Sequence, residues 1–341
     1  MLALATMTEL TPNSGYNFHQ AFPRKPIWLV MRATILSETQ LPRLPSASGV
    51  EIIGPTAYVI SDDAPFLYLL DAATLAPRGQ IQLFETADFG TGRIPKARKP
   101  DLEALAACTW PGRGAGLLLL GSGSTAARRR GYWLPLLATP SFALPQLPQS
   151  LDLSALYAAA QAALPAGVPL NIEAAAATEK ELLLFQRGVG AQAEGWRLSW
   201  PLVTALAQLV GSGGAALPVA PLPAAPLPAA RRLTLPAIEG SLAGFSGATF
   251  AEGQLLVSAS VENTADPVLD GEVLGSFVGA IDLRTGTGTF ARLTWADGRP
   301  YGGKVEGLAV RRQHAPGHAE LLLVTDDDRG GSTALLAELR W

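Results

Sequence analysis

Short runs of leucine, valine and isoleucine recur along this chain, each entered through a brief leading segment and each ending in small polar or acidic residues. Five copies are legible. Ser48-Gly49-Val50-Glu51 precedes Ala57-Tyr58-Val59-Ile60-Ser61-Asp62-Asp63, and Asp101-Leu102-Glu103-Ala104-Leu105 precedes Leu117-Leu118-Leu119-Leu120-Gly121-Ser122. Asn171-Ile172-Glu173-Ala174 precedes Leu182-Leu183-Leu184-Phe185-Gln186, and Ser246-Gly247-Ala248 precedes Leu255-Leu256-Val257-Ser258. Lys304-Val305-Glu306-Gly307-Leu308 precedes Leu321-Leu322-Leu323-Val324-Thr325-Asp326-Asp327-Asp328. An aliphatic run of this length bounded by turn formers predicts a strand. A recurring unit too small to bury its own apolar face must stack on its neighbours, and radial stacking of sheets predicts an all-β fold, a single β-propeller. Direct counting gives five blades; six requires one blade without the signature.

The repeats are 52 to 75 residues apart, beyond the roughly 40–45 residues of a compact WD-type blade, so long connections are expected. Phe66–Asp71 and Gly79–Phe84 read as the outer strands of the first blade, and Phe277–Asp282 and Thr289–Leu293 repeat them in the fourth. The aspartate that ends each first member suits a tight hairpin. Asp152 to Gln161 predicts a short surface helix, and the Pro-Ala-Leu stretch Leu217–Ala230 an extended linker. The last blade has three C-terminal strands, so Ala33–Leu36, with Ile27–Met31, is expected to supply the fourth and close the ring. Residues 1–24 then form an N-terminal extension and 25–341 the propeller, with a closing strand at 25–45 and blades at about 46–94, 95–164, 165–237, 238–300 and 301–341.

Hydrophobic residues make up 48% and charged residues 16% of the 341, which favours a large core over disorder. The net charge of -3 gives no basic footprint for nucleic acid. Cys108 is the single cysteine, so no intramolecular disulfide and no cysteine zinc site are expected. No run has the length of a membrane span, and the opening residues lack a basic region and a full apolar segment. The default compartment is cytoplasmic. With only His19, His314 and His318 and no Gly-x-Ser-x-Gly elbow, zinc or serine-triad chemistry is disfavoured.

Glu51, Glu103, Glu173 and Glu306 sit at matching places before the aliphatic runs, with Ala248 in the fourth copy. In a propeller such positions face the axis, and the four glutamates are expected to converge there. Converging carboxylates raise one another's pKa values unless compensated. Calcium, which takes six to eight oxygens in loose geometry, is one compensation. Pairing with Lys99 or Lys304, or capping by backbone N–H groups, is the other. The strand-end residues Asp62-Asp63, Ser122–Thr125, Gln186-Arg187, Glu262-Asn263 and Asp326–Asp328 are candidates for one common face. Ser122 and Ser124, followed by Arg128 and Arg129, have the donors to cradle an anion.

Lys304-Val305-Glu306-Gly307-Leu308-Ala309, its echo Asp101-Leu102-Glu103-Ala104-Leu105 and the leucine strand ending in Asp326-Asp327-Asp328 resemble the esterase-like, phytase-like group of bacterial β-propellers. The resemblance implies a propeller, calcium, and hydrolysis of an ester or phosphoester. On that expectation Glu103 and Glu306 are catalytic. Glu51, Glu103, Glu173, Glu306, Asp326 and Asp327 hold the metal, and Ser122, Ser124, Arg128, Arg129, Lys99 and Lys304 bind the substrate. The alternative is a non-catalytic propeller that binds a small ligand or a protein partner on its loop face.

Overall fold

In the computed structural model the aliphatic runs are strands covered on both faces. The structure describes residues 30–90, 92–136, 147–188, 194–211, 226–263, 271–327 and 329–341. His19, Ile27–Leu29, most of the Pro-Ala-Leu stretch and Asp328 lie outside them. Met31–Trp341 forms one unit.

The first strand, β1 (Arg32–Gln40), is followed by a sheet of β2 (Ala47–Ile53), β3 (Thr56–Ser61), β4 (Phe66–Asp71) and β5 (Pro77–Gln82), paired in that order. The second sheet holds β6 (Leu102–Trp110), β7 (Gly114–Gly121), β8 (Arg130–Pro135) and β9 (Gln149–Asp152), and the helix α1 (Ser154–Ala163) follows it. The third comprises β10 (Ile172–Ala177), β11 (Glu181–Gln186), β12 (Gly195–Pro201) and, after the helix α2 (Leu202–Ala207), β14 (Ala229–Leu233). The short β13 (Val210–Gly211) extends the second sheet through β9, and β15 (Ala237–Ile238) pairs with β16 (Ser241–Leu242). An eight-stranded sheet follows in two halves. One is β17 (Gly244–Ala251), β18 (Gln254–Asn263), β19 (Glu272–Ile281) and β20 (Gly288–Trp295); the other is β21 (Lys304–Ala315), β22 (His318–Asp326), β23 (Ser332–Arg340) and β1.

β1 joins the two halves, antiparallel to β23 and parallel to β20 through Ala33, Thr34 and Ile35. The N-terminal strand thus covers the edge that β23 would otherwise expose. The first strands β2, β6, β10, β17 and β21 touch in cyclic order, with β21 returning to β2. Five buried apolar clusters fill the spaces between successive groups in the same cyclic order. The arrangement is propeller-like. Strands sandwiched this way need apolar residues on both faces, which is why Leu117–Leu120 and Leu321–Val324 are continuous runs rather than alternating ones.

The hairpin aspartates act as expected. Asp71 Oδ1 accepts the N–H groups of Ala73 and Thr74 at 2.9 and 2.8 Å, and Asp282 Oδ1 those of Arg284 and Thr285 at 2.8 and 3.2 Å. The helix α1 lies on the surface as expected, with Ser154, Ala155, Ala158, Gln161 and Ala162 exposed and Leu156, Tyr157 and Ala160 buried on the other face, and the Tyr157 hydroxyl donates to the Gly121 carbonyl. One expectation is corrected. The Pro-Ala-Leu stretch is not all linker, because Ala229 and Ala230 begin β14 and pair with Ser199 and Leu198.

The first strands approach one another closely enough to exclude a methyl group. A Cβ on Gly307 would lie 2.8 Å from Gly49 Cα and 3.0 Å from Val50 N. Those atoms are backbone and cannot swing aside. Gly307→Ala should therefore cost about 1–2 kcal/mol of stability through overpacking, read from urea denaturation midpoints. An unchanged midpoint would refute this close contact.

Candidate functional site

Each of the five first strands carries one extra residue opposite its second strand. The register shifts fall around Ser48, Glu103, Glu173, Ser246 and Glu306. A bulge bends its strand and re-aims the extra side chain. Glu103, Glu173 and Glu306 are therefore equivalent, as expected, but the other two equivalents are serines. Glu51 lies three residues past its bulge and Ala248 two past its own.

An ion-pair network surrounds these bulges. Lys99, buried between β5 and β6, bonds Asp62 and lies 3.2 Å from Asp63 Oδ1 and 3.3 Å from Asp101 Oδ1. Arg93 Nε donates to Asp63 Oδ2 at 2.6 Å, and the Ser46 hydroxyl reaches the same oxygen at 2.9 Å. Arg128 and Ser122 meet Asp101 Oδ2 at 2.7 and 2.6 Å, and Ser124 lies 3.0 Å from both Ser122 Oγ and Arg128 Nη1. A second set lies across the third sheet and the eight-stranded one. Arg187 bonds Glu262 at 2.7 Å and Glu173 at 3.5 Å, while Lys304 bonds Glu262 at 3.0 Å and Glu306 at 2.8 Å. The Asn171 amide donates to Glu173 at 2.5 Å.

Glu103 stands between the two sets. Its carboxyl is pushed well above the ordinary range, first by desolvation and then by the charges of Asp101, Glu173 and Asp62. Desolvation also lifts Asp62 to about 7 against the pull of Lys99, and Glu173 to about 7 against Arg187. Asp63 goes the other way: burial opposes it, but Lys99, Ser46 and Arg93 together hold it below its ordinary value. Carboxylate oxygens of Asp62, Asp101 and Glu103 lie within 4.8 Å of one another. Asp62 Oδ1 is buried and has no hydrogen-bond partner among the described residues. Such an orphaned acceptor is costly unless something with positive charge meets it.

Of the residues singled out from sequence, Glu103, Glu173, Glu306, Lys99, Lys304, Ser122, Ser124 and Arg128 come together here. Asp326 pairs in register with Lys304, and its charge acts on Arg93. Three are placed elsewhere. Glu51 accepts the Ala107 N–H at 3.4 Å, apart from the other glutamates. Asp327 caps its own turn through the N–H groups of Arg329 and Gly331. Arg129 is exposed and bonds Leu153 only through its carbonyl. Arg93 was not anticipated, because it stands in a loop with no repeat position to mark it. Among the described residues no helix is long and apolar enough to cross a membrane.

Comparison with known proteins places the chain by family alone. It belongs to DUF6929, a family of unknown function whose model matches residues 43–339. No curated protein matches the DUF6929 chain in sequence. Among solved structures it is similar to glutaminyl cyclase of Myxococcus xanthus, at 13% identity and a TM-score of 0.46 over 91% of this chain and 97% of that one. It is also similar to the PQQ-bound aldose sugar dehydrogenase of Streptomyces coelicolor, at 15% identity and 0.39 over 91% and 98%. A third is the β-propeller domain of Cps50 (Swd1) from Myceliophteria thermophila, at 10% and 0.33 over 85% and 66%. These likenesses concern the path of the chain and carry no statement about its chemistry.

Proposed function

We propose that this chain is a five-bladed β-propeller, closed by β1, whose axial mouth holds a hard divalent cation, calcium, and hydrolyses a phosphoester or carboxylic ester there. The observation that carries this reading is the trio Asp62, Asp101 and Glu103, with three carboxylate oxygens inside 4.8 Å and the buried Asp62 Oδ1 unpartnered. The donor set fits, since carboxylate oxygens are hard ligands and calcium accepts them in loose geometry. The network around it holds the carboxyl groups of Asp62, Asp63, Asp101, Glu103, Glu173, Glu262 and Glu306 against the cations of Lys99, Arg93, Arg128, Arg187 and Lys304. Full ionisation of these seven would leave two negative charges, which protonation of the raised carboxyls or a divalent cation would balance. When bound, such a cation polarises a phosphoryl or carbonyl oxygen. Glu103, whose carboxyl desolvation and the charges of Asp101, Glu173 and Asp62 push well above the ordinary range, is suited to carry a proton. Arg128 sets positive charge at the edge for an anionic substrate. This is also what supports the esterase-like, phytase-like reading of the repeats.

A second reading, a propeller that binds a ligand without turning it over, is favoured by Lys99. Its ammonium already lies against Asp62, Asp63 and Asp101 and supplies a built-in counter-charge. Titration calorimetry with calcium, alongside turnover of aryl phosphates and aryl esters with and without chelator, separates the two. The expected result is saturable calcium binding and chelator-sensitive turnover, with Asp101→Asn weakening calcium about tenfold or more through loss of one charged ligand. Asparagine tolerates the positive φ of 55° at this position. Binding without turnover would leave the second reading. No calcium binding would remove the metal centre.

A further inference from the structure

A cavity of about 560 Å³ opens between the first sheet and the β22–β23 turn, floored by the loop that follows β1. Its volume lies in the range of small-molecule sites. Phe66, Tyr68 and Phe89 form an aromatic wall, with Phe66 edge-on to Phe89 at 5.4 Å and to Tyr68 at 6.2 Å. Among the described residues the lining has one charged side chain, Arg43, which is exposed and has no ion-pair partner, and no acid.

Two further observations point to a ligand. Tyr68 is 8% exposed, and its hydroxyl, which meets no protein partner among the described residues, stays accessible from the cavity. Burial pushes that phenol up to about 12, so it remains a donor at any physiological pH. The loop is also held in an unusual conformation: Arg43 has φ 71° and Ser46 φ 42°. Both ends are tied down, Leu41 N–H by the Ser332 carbonyl at 2.9 Å and the Pro45 carbonyl by the Ser61 hydroxyl at 2.5 Å. Non-glycine residues kept at positive φ by their surroundings concentrate at ligand clamps.

We propose that this cavity binds a small planar aromatic anion, an aryl carboxylate or aryl phosphate, whose ring packs on Phe66 and Phe89 while Arg43 and the Tyr68 hydroxyl donate to its oxygens. An aromatic wall supplies apolar area in the geometry rings prefer. An unpaired guanidinium supplies the planar fork that carboxylate and phosphate accept. No side chain of the cavity belongs to the carboxylate network, so this site stands or falls independently of the metal centre.

The test is calorimetry and ligand-observed NMR on the full chain with benzoate, phenyl phosphate and the neutral benzamide, in chelator. At least one anion should bind saturably at one site, with benzamide about tenfold weaker for want of the charge-assisted bond. Arg43→Gln should weaken the anion about tenfold or more, and Tyr68→Phe a few-fold by removing one neutral hydrogen bond. Tyr68→Phe deletes only a hydroxyl, so its melting temperature should be unchanged. The stronger of the two anions decides between carboxylate and phosphate. Absence of saturable binding by either anion, equal binding of benzamide, or affinity indifferent to both variants would overturn the proposal.

Discussion

Glu262→Gln should cost the fold about 3 kcal/mol at pH 7, by leaving two buried cations short of a shared carboxylate. Glu262 lies 2.7 Å from Arg187 and 3.0 Å from Lys304, and all three side chains are nearly inaccessible. Removing one partner of a buried pair commonly costs about 3–5 kcal/mol, and the low end applies because Glu173 and Glu306 remain beside the cations. The proton equilibrium gives the same size. Burial opposes ionisation of Glu262, but Arg187 and Lys304 override it and hold the carboxyl at about 2 instead of 4.5. That difference corresponds to about 3 kcal/mol. Because the folded pKa is depressed, the stabilisation is fully present above 4.5 and is lost as the pH falls through about 2. Urea denaturation at pH 7 and pH 3 should show the gap between wild type and variant narrowing with acid. A gap below about 1 kcal/mol at pH 7 would mean that the network is loosely solvated, as exposed pairs are.

Much of the fold was legible because strands covered on both faces write continuous aliphatic runs. Leu117–Leu120 and Leu321–Val324 could be read directly, and Asp71 and Asp282 marked their hairpins through the N–H groups they accept. The pairing of β1 with β23 followed from a shortage of strands at the C-terminus and is observed. The outer strand β14 was hidden because it begins inside a proline-rich stretch whose composition argues against a strand.

The site was only partly legible, and the bulges explain why. A bulge inserts one residue, so counting back from the aliphatic run misplaces the equivalent position. Glu51 and Ala248 were chosen by residue type or offset, whereas Ser48 and Ser246 occupy the bulge. A signal was nonetheless present: glycine or alanine follows every bulged residue, at Gly49, Ala104, Ala174, Gly247 and Gly307. Small residues are needed there because neighbouring first strands come into backbone contact. The partners Arg187 and Glu262 are 75 residues apart in sequence, and no local pattern joins them. Only the packing of the third sheet against the group that follows it does.

Glu51, displaced from the network, carries the other large expected effect. Glu51→Gln should stabilise the protein by up to about 3 kcal/mol above pH 7 and leave it unchanged near pH 4.5. Desolvation raises the Glu51 carboxyl from 4.5 to about 7, with the Ala107 and Ile52 N–H groups only partly offsetting it. A raised folded pKa means that the neutral form suits the native state. Its contribution is complete below 4.5 and is lost as the pH rises through about 7, when the half-buried group must ionise. Glutamine keeps the carbonyl oxygen that meets the Ala107 N–H at 3.4 Å and never ionises. Cys108 is the neighbour whose thiol feels this charge, and with its own pKa pushed up to about 12 by burial it stays neutral across the window. Every other titration is common to both proteins and cancels in their difference. Urea denaturation at pH 4.5, 6 and 8 should therefore give a difference that grows from zero and levels off above pH 7. A constant difference across that range would mean that Glu51 is solvated in the native state.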